Sequence, residues 1–150
     1  MTVAAILKDK GRDTYSVPPT TTLAEICRLL ADRRIGAAMI TNESGSLVGI
    51  VSERDIIRAV ASDTAAALGA EASRYMTSMV VTCTEDCTVG QVMARMTAGN
   101  FRHVPVLRDG RIVGMISNRD LVRHRLAQVE SEAEELRTYL EELGRWREER

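Results

Sequence analysis

Two short segments of the sequence carry residues that could bind a small anionic ligand. Ser52 and Asp55 stand three residues apart where an apolar run ends and an amphipathic pattern begins, and Ser117 and Asp120 repeat this arrangement. The free N–H groups at the start of a helix attract a phosphate, and a fixed carboxylate can accept hydrogen bonds from both hydroxyls of a ribose. This chemistry suits a nucleoside phosphate.

The same residues also have a purely structural interpretation. A serine before the first helical turn, with an acid three residues later, satisfies backbone donors and suits the helix dipole. One feature argues against capping as the sole role. Arg54 and Arg119 each fall in the first turn of their helix, where a cation opposes the helix dipole. A guanidinium there could clamp an anion, or its side chain could extend into solvent. The residues by themselves leave capping and anion binding open.

The two segments belong to an internal repeat. Residues 48–58 (VGIVSERDIIR) match residues 113–123 (VGMISNRDLVR) at an offset of 65, with six of eleven identical and four others exchanging one apolar residue for another. Upstream the offset becomes 66, because the turn TNESGS in the first copy is one residue longer than LRDGR in the second. Turns tolerate insertions best, so we expect two copies of one folding unit.

Each copy predicts a β-α-β-β-α unit. Helices are expected to begin at Leu23 and Val89. Each of these residues comes directly after the threonine of a Thr-x-x-Glu or Thr-x-x-Gln capping-box pattern and opens an amphipathic repeat. The dipeptide Asp109-Gly110 predicts a two-residue hairpin turn, and the Ala-rich stretch 62–72 is expected to connect the copies. The expected strands are 14–17, 37–41 and 47–52 in the first copy and 80–82, 104–107 and 112–117 in the second.

These units predict the fold class and the division of the chain. A unit of roughly 55–60 residues is too small to bury both faces of its own sheet, so the two copies should pack on each other as one module. We expect an α+β (mixed α/β) fold. Residues 1–69 would hold the first repeat and the connection, residues 70–127 the second repeat, and residues 128–150 a helical extension.

The last helix is expected to continue past the second repeat as a heptad seam over roughly 25 residues. The seam positions alternate in steps of four and three residues: Val122, Leu126, Val129, Ala133, Leu136, Leu140 and Leu143. Such a stripe must be covered, either by the module itself or by a second copy of the chain. We predict a homodimer whose interface includes this helix, with parallel and antiparallel pairing both open.

Composition excludes several other classes of protein. The 150 residues are 45% hydrophobic and 27% charged, which excludes a disordered chain, and 20 basic against 21 acidic residues argue against nucleic acid as a partner. No run approaches the roughly 20 apolar residues that cross a bilayer, and the start MTVAAILKDK has no signal-length apolar stretch. We therefore expect a cytoplasmic protein with no membrane contact.

The three cysteines fit a reducing compartment and predict no disulfides. Cys27 falls on the apolar face of a helix and is expected to be a small buried hydrophobe. Cys83 and Cys87 resemble half of a zinc site, but a four-ligand cage needs further Cys or His residues nearby, and the chain has only two histidines. No metal site is expected.

The motifs GIVSERD and GMISNRD, with FRHVPV before the second, resemble the tandem cystathionine-β-synthase (CBS) domain, also called a Bateman module. The resemblance covers about residues 1–127 in order and spacing. It implies two CBS repeats related by a pseudo-twofold axis, with clefts between them. In this family such clefts bind adenosine compounds, namely AMP, ADP, ATP, NAD(H) or S-adenosylmethionine.

Carried over position by position, the resemblance assigns roles to residues of both repeats. Asp55 and Asp120 would hold ribose hydroxyls, and the residues facing the phosphates would be Ser52, Ser117, Arg54 and Arg119. Residues at the opening of each middle strand would contact base or phosphate: Ile35, Gly36 and Ala37 in the first repeat, and Arg102, His103 and Pro105 in the second. The first repeat lacks the basic pair and the proline at this point, so the clefts should be unequal. His124 lies beyond the motif between two arginines and is expected at the solvated surface.

Three functions follow as hypotheses. The favoured one is an adenine-nucleotide-binding sensor of energy or redox state that acts on a partner protein in trans. The alternative is a ligand-free structural dimerisation module whose Ser-x-x-Asp motifs only cap helices. An enzyme is disfavoured, because no nucleophile-base arrangement, phosphate-binding loop or metalloprotease motif is visible, and no catalytic residue is predicted.

Overall fold

The computed structural model describes all 150 residues and contains two repeats followed by a long helix. The first part comprises α1 (Val3–Lys10), β1 (Ser16–Val17), α2 (Leu23–Arg33), β2 (Ala37–Thr41), β3 (Leu47–Ser52) and α3 (Glu53–Asp63). A 3₁₀ helix (Thr64–Gly69) and α4 (Ala72–Tyr75) connect it to α5 (Val89–Gly99), β4 (His103–Arg108), β5 (Arg111–Ser117) and α6 (Asn118–Glu148). The mixed α and β architecture expected from the sequence is confirmed.

The first repeat has a three-stranded sheet in the order β1-β2-β3. Strand β1 runs parallel to β2, and β2 pairs with β3 in an antiparallel hairpin. Helix α2 covers this sheet with Leu23, Ile26 and Leu30, all nearly inaccessible to solvent. Its start is fixed by the predicted capping box, in which Thr22 accepts the amide of Glu25.

The second repeat keeps the hairpin but not the predicted lead-in strand. Strands β4 and β5 pair antiparallel around Asp109 and Gly110, whose φ angles of 51° and 76° confirm the predicted tight turn. The expected strand at 80–82 is wrong. Only Cys83 meets β4, through a single parallel bridge to Val106, because the chain turns immediately afterwards.

Helix α1, which the sequence reasoning missed, belongs structurally to the second repeat. Its buried residues Val3, Ile6 and Leu7 join one core cluster with residues of α5, β4, β5 and α6. Leu7 packs on β5 at Gly114, where an added Cβ would lie 2.7 Å from the leucine side chain. The beginning of the chain therefore crosses over to complete the core of the second repeat.

The connection between the repeats folds back onto the first one. Ala67 and Ala72 are completely buried in the same cluster as the apolar residues of α2, β2 and β3.

Two residues differ from their predicted environments. Cys27 is half-buried rather than fully buried. His124 is half-buried rather than solvated, and its Nε2 atom is enclosed and has no hydrogen-bond partner.

The last helix, α6, is longer than predicted at 31 residues, about 46 Å at 1.5 Å per residue. Leu121 anchors its first turn in the second core, and every residue from Val129 to Arg150 is exposed. No helix in the structure combines the length and the apolar character needed to span a bilayer.

If α1 is a structural part of the second repeat, Leu7→Ala should lower the free energy of unfolding of the full chain by about 2–5 kcal/mol, the range for emptying a well-packed leucine site. Chemical denaturation followed by circular dichroism measures this change. Lys8→Ala, one residue along on the exposed face of α1, is the control and should change it by less than about 0.5 kcal/mol. Equal effects of the two substitutions would contradict the packing role of α1.

Candidate ligand-binding clefts

The two strand-to-helix corners share the same pair of capping hydrogen bonds. At the first, Ser52 Oγ accepts the amide of Asp55 at 3.3 Å, and Asp55 Oδ2 accepts the amide of Ser52 at 2.8 Å. At the second, Ser117 and Asp120 make the same two bonds at 3.2 and 2.8 Å. The capping interpretation of the motif is therefore confirmed, and it occupies one carboxylate oxygen of each aspartate in these backbone bonds.

Each corner keeps one backbone donor free. The amide of the first helical residue bonds back to the opening of its own middle strand, from Glu53 to Gly36 O at 3.0 Å and from Asn118 to Arg102 O at 2.7 Å. With the capping bonds, three of the four donors at each helix start have protein partners. The fourth, the amide of Arg54 or Arg119, has none, and its own side chain is a guanidinium.

A cleft of about 780 Å³, the Asp120 cleft, opens at the second corner. Ser117, Arg119 and Asp120 of the second repeat lie on one side. The opening of β2 in the first repeat lies opposite, at residues 35–37, with Tyr15 from the segment before β1. The cleft therefore lies between the repeats and draws residues from both.

The Asp55 cleft, of about 430 Å³, is its counterpart at the first corner. Ser52, Arg54 and Asp55 of the first repeat face Arg102 and His103 at the opening of β4 in the second repeat. Arg54 also reaches across the boundary, donating to the carbonyl of Asn100 at 3.4 Å. Each corner is thus paired crosswise with the middle-strand opening of the other repeat.

Four residues line both clefts and so separate them: Gly36, Glu53, Arg102 and His103. The His103 ring lies so close to Gly36 that an added Cβ would stand 2.9 Å from its Cε1 and Nε2 atoms. Burial lowers the pKa of His103 below 6.5, with Lys10 and Arg102 acting in the same direction and Glu53 and Asp120 opposing. A neutral imidazole packed on a glycine therefore forms the partition.

The structure places eleven of the twelve predicted site residues in the clefts. The Asp120 cleft contains Ile35, Gly36, Ala37, Arg102, His103, Ser117, Arg119 and Asp120, and the Asp55 cleft contains Gly36, Ser52, Arg54, Asp55, Arg102 and His103. Pro105 lines neither cleft. It is buried within β4, where its carbonyl accepts the amide of Cys83 at 3.0 Å.

Sequence reasoning missed a lysine that contacts the Asp120 carboxylate. Lys10, the last residue of α1, places its Nζ 2.6 Å from Asp120 Oδ2 and 2.8 Å from the carbonyl of Met115. Burial opposes ionisation of Asp120, but the hydrogen bonds from Lys10 and Ser117 outweigh it and hold its pKa below 3.8. Nothing in the sequence pointed to Lys10, because its position depends on the unpredicted α1.

The clefts differ in charge. The Asp120 cleft contains five cationic side chains, Lys10, Arg34, Arg102, Arg119 and Arg123, against three acids, Asp13, Glu53 and Asp120. The Asp55 cleft contains three, Arg54, Arg58 and Arg102, against two acids, Glu53 and Asp55. Arg123 lies one helical turn after Arg119, so its place on the same face could have been read from the sequence. The larger cleft is thus also the more cationic one.

The family model of the CBS domain matches the chain twice, at residues 8–62 and 72–127. Curated relatives are longer proteins. The chain is 32% identical over 110 residues to an uncharacterised 17.7 kDa protein of Acidianus ambivalens, matching 73% of this chain and 65% of that protein. It is 30% identical over 119 residues to a CBS domain-containing protein of Arabidopsis thaliana, matching 79% of this chain but 22% of the relative.

Solved structures share the architecture at higher coverage. A CBS-domain containing protein from Agrobacterium tumefaciens has a TM-score of 0.82 and 42% identity, over 83% of this chain and 99% of that one. A CBS domain protein from Pyrobaculum aerophilum complexed with AMP has a TM-score of 0.75 and 33% identity, over 87% of this chain and 97% of that one. A CBS domain pair in complex with 5′-methylthioadenosine and S-adenosyl-L-methionine has a TM-score of 0.77 and 28% identity, over 85% of this chain and 98% of that one.

The partition predicts a specific interaction between two residues. Gly36→Ala should destabilise the fold by roughly 1–3 kcal/mol, because the new methyl group overlaps the His103 ring. In a His103→Ala background, the same substitution should cost much less. Denaturant unfolding of the four proteins in this double-mutant cycle measures the coupling. Gly90→Ala, with no atom closer than 4.0 Å to the added Cβ, is the control, and additive effects of the pair would contradict the contact.

The burial of His103 also predicts a pH dependence of stability. Because its pKa is lower in the folded state, the unfolded chain takes up the proton first as the pH falls below about 6.5. This contribution to the free energy of unfolding is present above that pH and is lost below it. His103→Gln should therefore flatten the stability profile between about pH 7 and pH 5. Denaturant unfolding across this range tests it, and an unchanged slope in the variant would contradict the buried neutral imidazole.

Proposed function

The chain belongs to the CBS-domain family, and from that premise we propose that it is a regulatory module that binds an adenine nucleotide between its repeats. Proteins of this family are generally regulatory rather than catalytic. Binding would report the energy or redox state of the cytoplasm, and a partner protein in trans would respond to it.

The observation that carries the proposal is the free donor at each corner. An amide, a guanidinium and a carboxylate come together at residues 54–55 and again at 119–120, each facing the opposite repeat across a cleft. Ligand pockets usually measure about 300–1,000 Å³, and both clefts fall in this range. The amide and the guanidinium would bind a phosphate, and the aspartate would accept the ribose hydroxyls.

The Asp120 cleft is the stronger candidate for a phosphorylated ligand. Lys10 now neutralises the carboxylate of Asp120, and a ligand whose ribose engages that carboxylate would free the ammonium group to meet a phosphate. Five cations in this cleft suit AMP, ADP, ATP or NAD(H). The AMP complex of the Pyrobaculum aerophilum protein supports an adenine nucleotide as the ligand.

The Asp55 cleft suits a less negative adenosine compound. It has fewer cations, and the apolar side chains of Met79, Val80 and Phe101 form part of its wall. S-adenosylmethionine carries no phosphate and has an adenosine with a thioether-derived tail. The structurally similar CBS pair in complex with S-adenosyl-L-methionine and 5′-methylthioadenosine supports this class of ligand.

A ligand would act by linking the two repeats. Each cleft has walls from both, so an occupant would stabilise one relative arrangement of the repeats over others. A partner protein that binds this arrangement preferentially would then bind more tightly when the nucleotide is present.

The capping boxes favour one alternative, a ligand-free structural module. In that case Asp55 and Asp120 would serve only their helices. Two other capping boxes, at Thr22 with Glu25 and at Thr88 with Gln91, have the same geometry and line neither cleft, so they provide matched controls.

Calorimetric titration of the chain with AMP, ATP, NADH and S-adenosylmethionine tests the proposal. Asp120→Ala removes charged hydrogen bonds to the ligand and should weaken binding of AMP about 10- to 150-fold, equivalent to roughly 1.5–3 kcal/mol. Gln91→Ala removes the equivalent capping side chain from α5 and should leave the affinity unchanged.

The outcomes separate the two functions. Binding that is weakened by Asp120→Ala but not by Gln91→Ala supports the sensor. No binding of any of the four compounds would favour the structural module, as would an affinity that neither Asp120→Ala nor Asp55→Ala changes.

A further inference from the structure

Helix α6 extends beyond the body of the protein as a single helix. All 22 residues from Val129 to Arg150 are exposed, and the 20 of them that belong to α6 span about 30 Å at 1.5 Å per residue. In proteins most of the stability of a helix comes from packing an apolar face rather than from intrinsic helix propensity. The projecting part, which we call the stalk, therefore needs a partner surface.

Helix α6 carries an apolar seam that begins at Val122, continues along the stalk and is covered by nothing in the chain. Leu126, Leu136 and Leu140 are each 58% exposed, and Val129 is 47% exposed. In heptad terms Leu126, Ala133 and Leu140 occupy a positions, and Val122, Val129, Leu136 and Leu143 occupy d positions. This is the pattern of a helix that pairs with another helix.

We propose that the occupant is the stalk of a second copy of the chain, aligned parallel and in register. The evidence is the charge pattern beside the seam, because in a parallel pair each g residue meets the e residue five positions later on the partner helix. Arg125 at g then meets the partner's Glu130 at e. Glu132 at g meets the partner's Arg137 at e.

The twofold axis of the pair generates each contact twice, so the parallel pair has four attractive contacts. Arg123, the remaining charged e position of the seam, meets only the partner's Asn118, so no like charges oppose each other. The side chains of Tyr139 and Trp146, both more than half exposed, lie at g positions and can extend the apolar contact.

Antiparallel pairing matches fewer charges. In the register that aligns Leu126 with the partner's Leu143, only Glu130 and Arg137 form attractive pairs. Sliding the helices by one heptad toward the body brings Glu132 beside the partner's Glu132 and Glu130 beside the partner's Glu130. Sliding them the other way brings Arg137 beside the partner's Arg137. Charge complementarity therefore favours the parallel arrangement.

This inference does not rest on ligand binding, so it can fail or succeed independently of the proposed function. The first test measures mass by light scattering over a dilution series, with twice the 16.5 kDa of one chain expected at micromolar concentration. A monomer at that concentration would overturn the proposal.

Charge reversal tests the register. Arg137→Glu replaces the guanidinium that faces the partner's Glu132 with a carboxylate, and the twofold axis makes this change twice per dimer. The like charges should weaken dimerisation roughly tenfold. Adding Glu132→Arg restores opposite charges across the parallel interface and should recover most of the affinity. In the antiparallel register the double variant would keep Glu130 beside the carboxylate introduced on the partner helix and would stay weak.

Two features make the charge test specific. Arg137 also forms an exposed ion pair with Glu134 of its own helix at 3.4 Å, which the double variant does not restore, so recovery reports the contact between chains. Arg145→Glu makes the same charge change at an outward f position and should leave the dimer intact. Failure of the double variant to recover would overturn the parallel register.

Cross-linking tests the orientation directly. Leu140→Cys places two thiols at facing a positions of a parallel pair, and mild oxidation should join the chains. In the antiparallel register the two thiols would be about 16 Å apart along the axis. Thr138→Cys, at an f position, is the control, and the unsubstituted chain with its three cysteines sets the background. A cross-link no stronger in Leu140→Cys than in Thr138→Cys would overturn the proposal.

Discussion

Each strand-to-helix corner has four backbone donors and satisfies three of them within the chain. This hydrogen bonding determines what the corners can do. The serine and the aspartate bond to each other's amides, and the strand opening accepts a further amide, so the helix start is stable without a ligand. The donor that remains belongs to the arginine. Capping and anion binding are therefore compatible, since the cap fixes the geometry and leaves one N–H beside a guanidinium.

Neither repeat completes its core with its own strands and two helices alone. The second depends on α1 from the beginning of the chain, and the first depends on the connection at residues 64–72. The packing of α1 on the second repeat has a functional consequence at Lys10. As the last residue of α1, it reaches Asp120 only because α1 packs against β5 and α6. The packing that stabilises the second repeat thus also brings one of the five cations into the larger cleft.

Features that depend on neighbouring residues could be predicted from the sequence, and features that depend on distant contacts could not. The capping boxes, the Asp109-Gly110 turn and the corner motifs each act within a few residues, and the capping boxes and corner motifs also occur in both repeats. Helix α1 has only three buried residues and gave too short a periodic signal. The lead-in strand at 80–82 was predicted by analogy between the repeats, and the early turn after Cys83 overruled it. Pro105 matched the family pattern by position, but β4 buries it inside the sheet.

Helix α6 joins the two proposals in one rigid element. Its first turn holds Ser117, Arg119 and Asp120 of the larger cleft, and its distal half holds the exposed seam. Leu121 is buried in the second core, so the second repeat determines the direction in which the stalk leaves the body. A ligand that changes the angle between the repeats would change how the first repeats lie relative to the paired stalks. Linkage then requires the reciprocal effect, because a dimer that favours one angle must alter nucleotide affinity by the same factor.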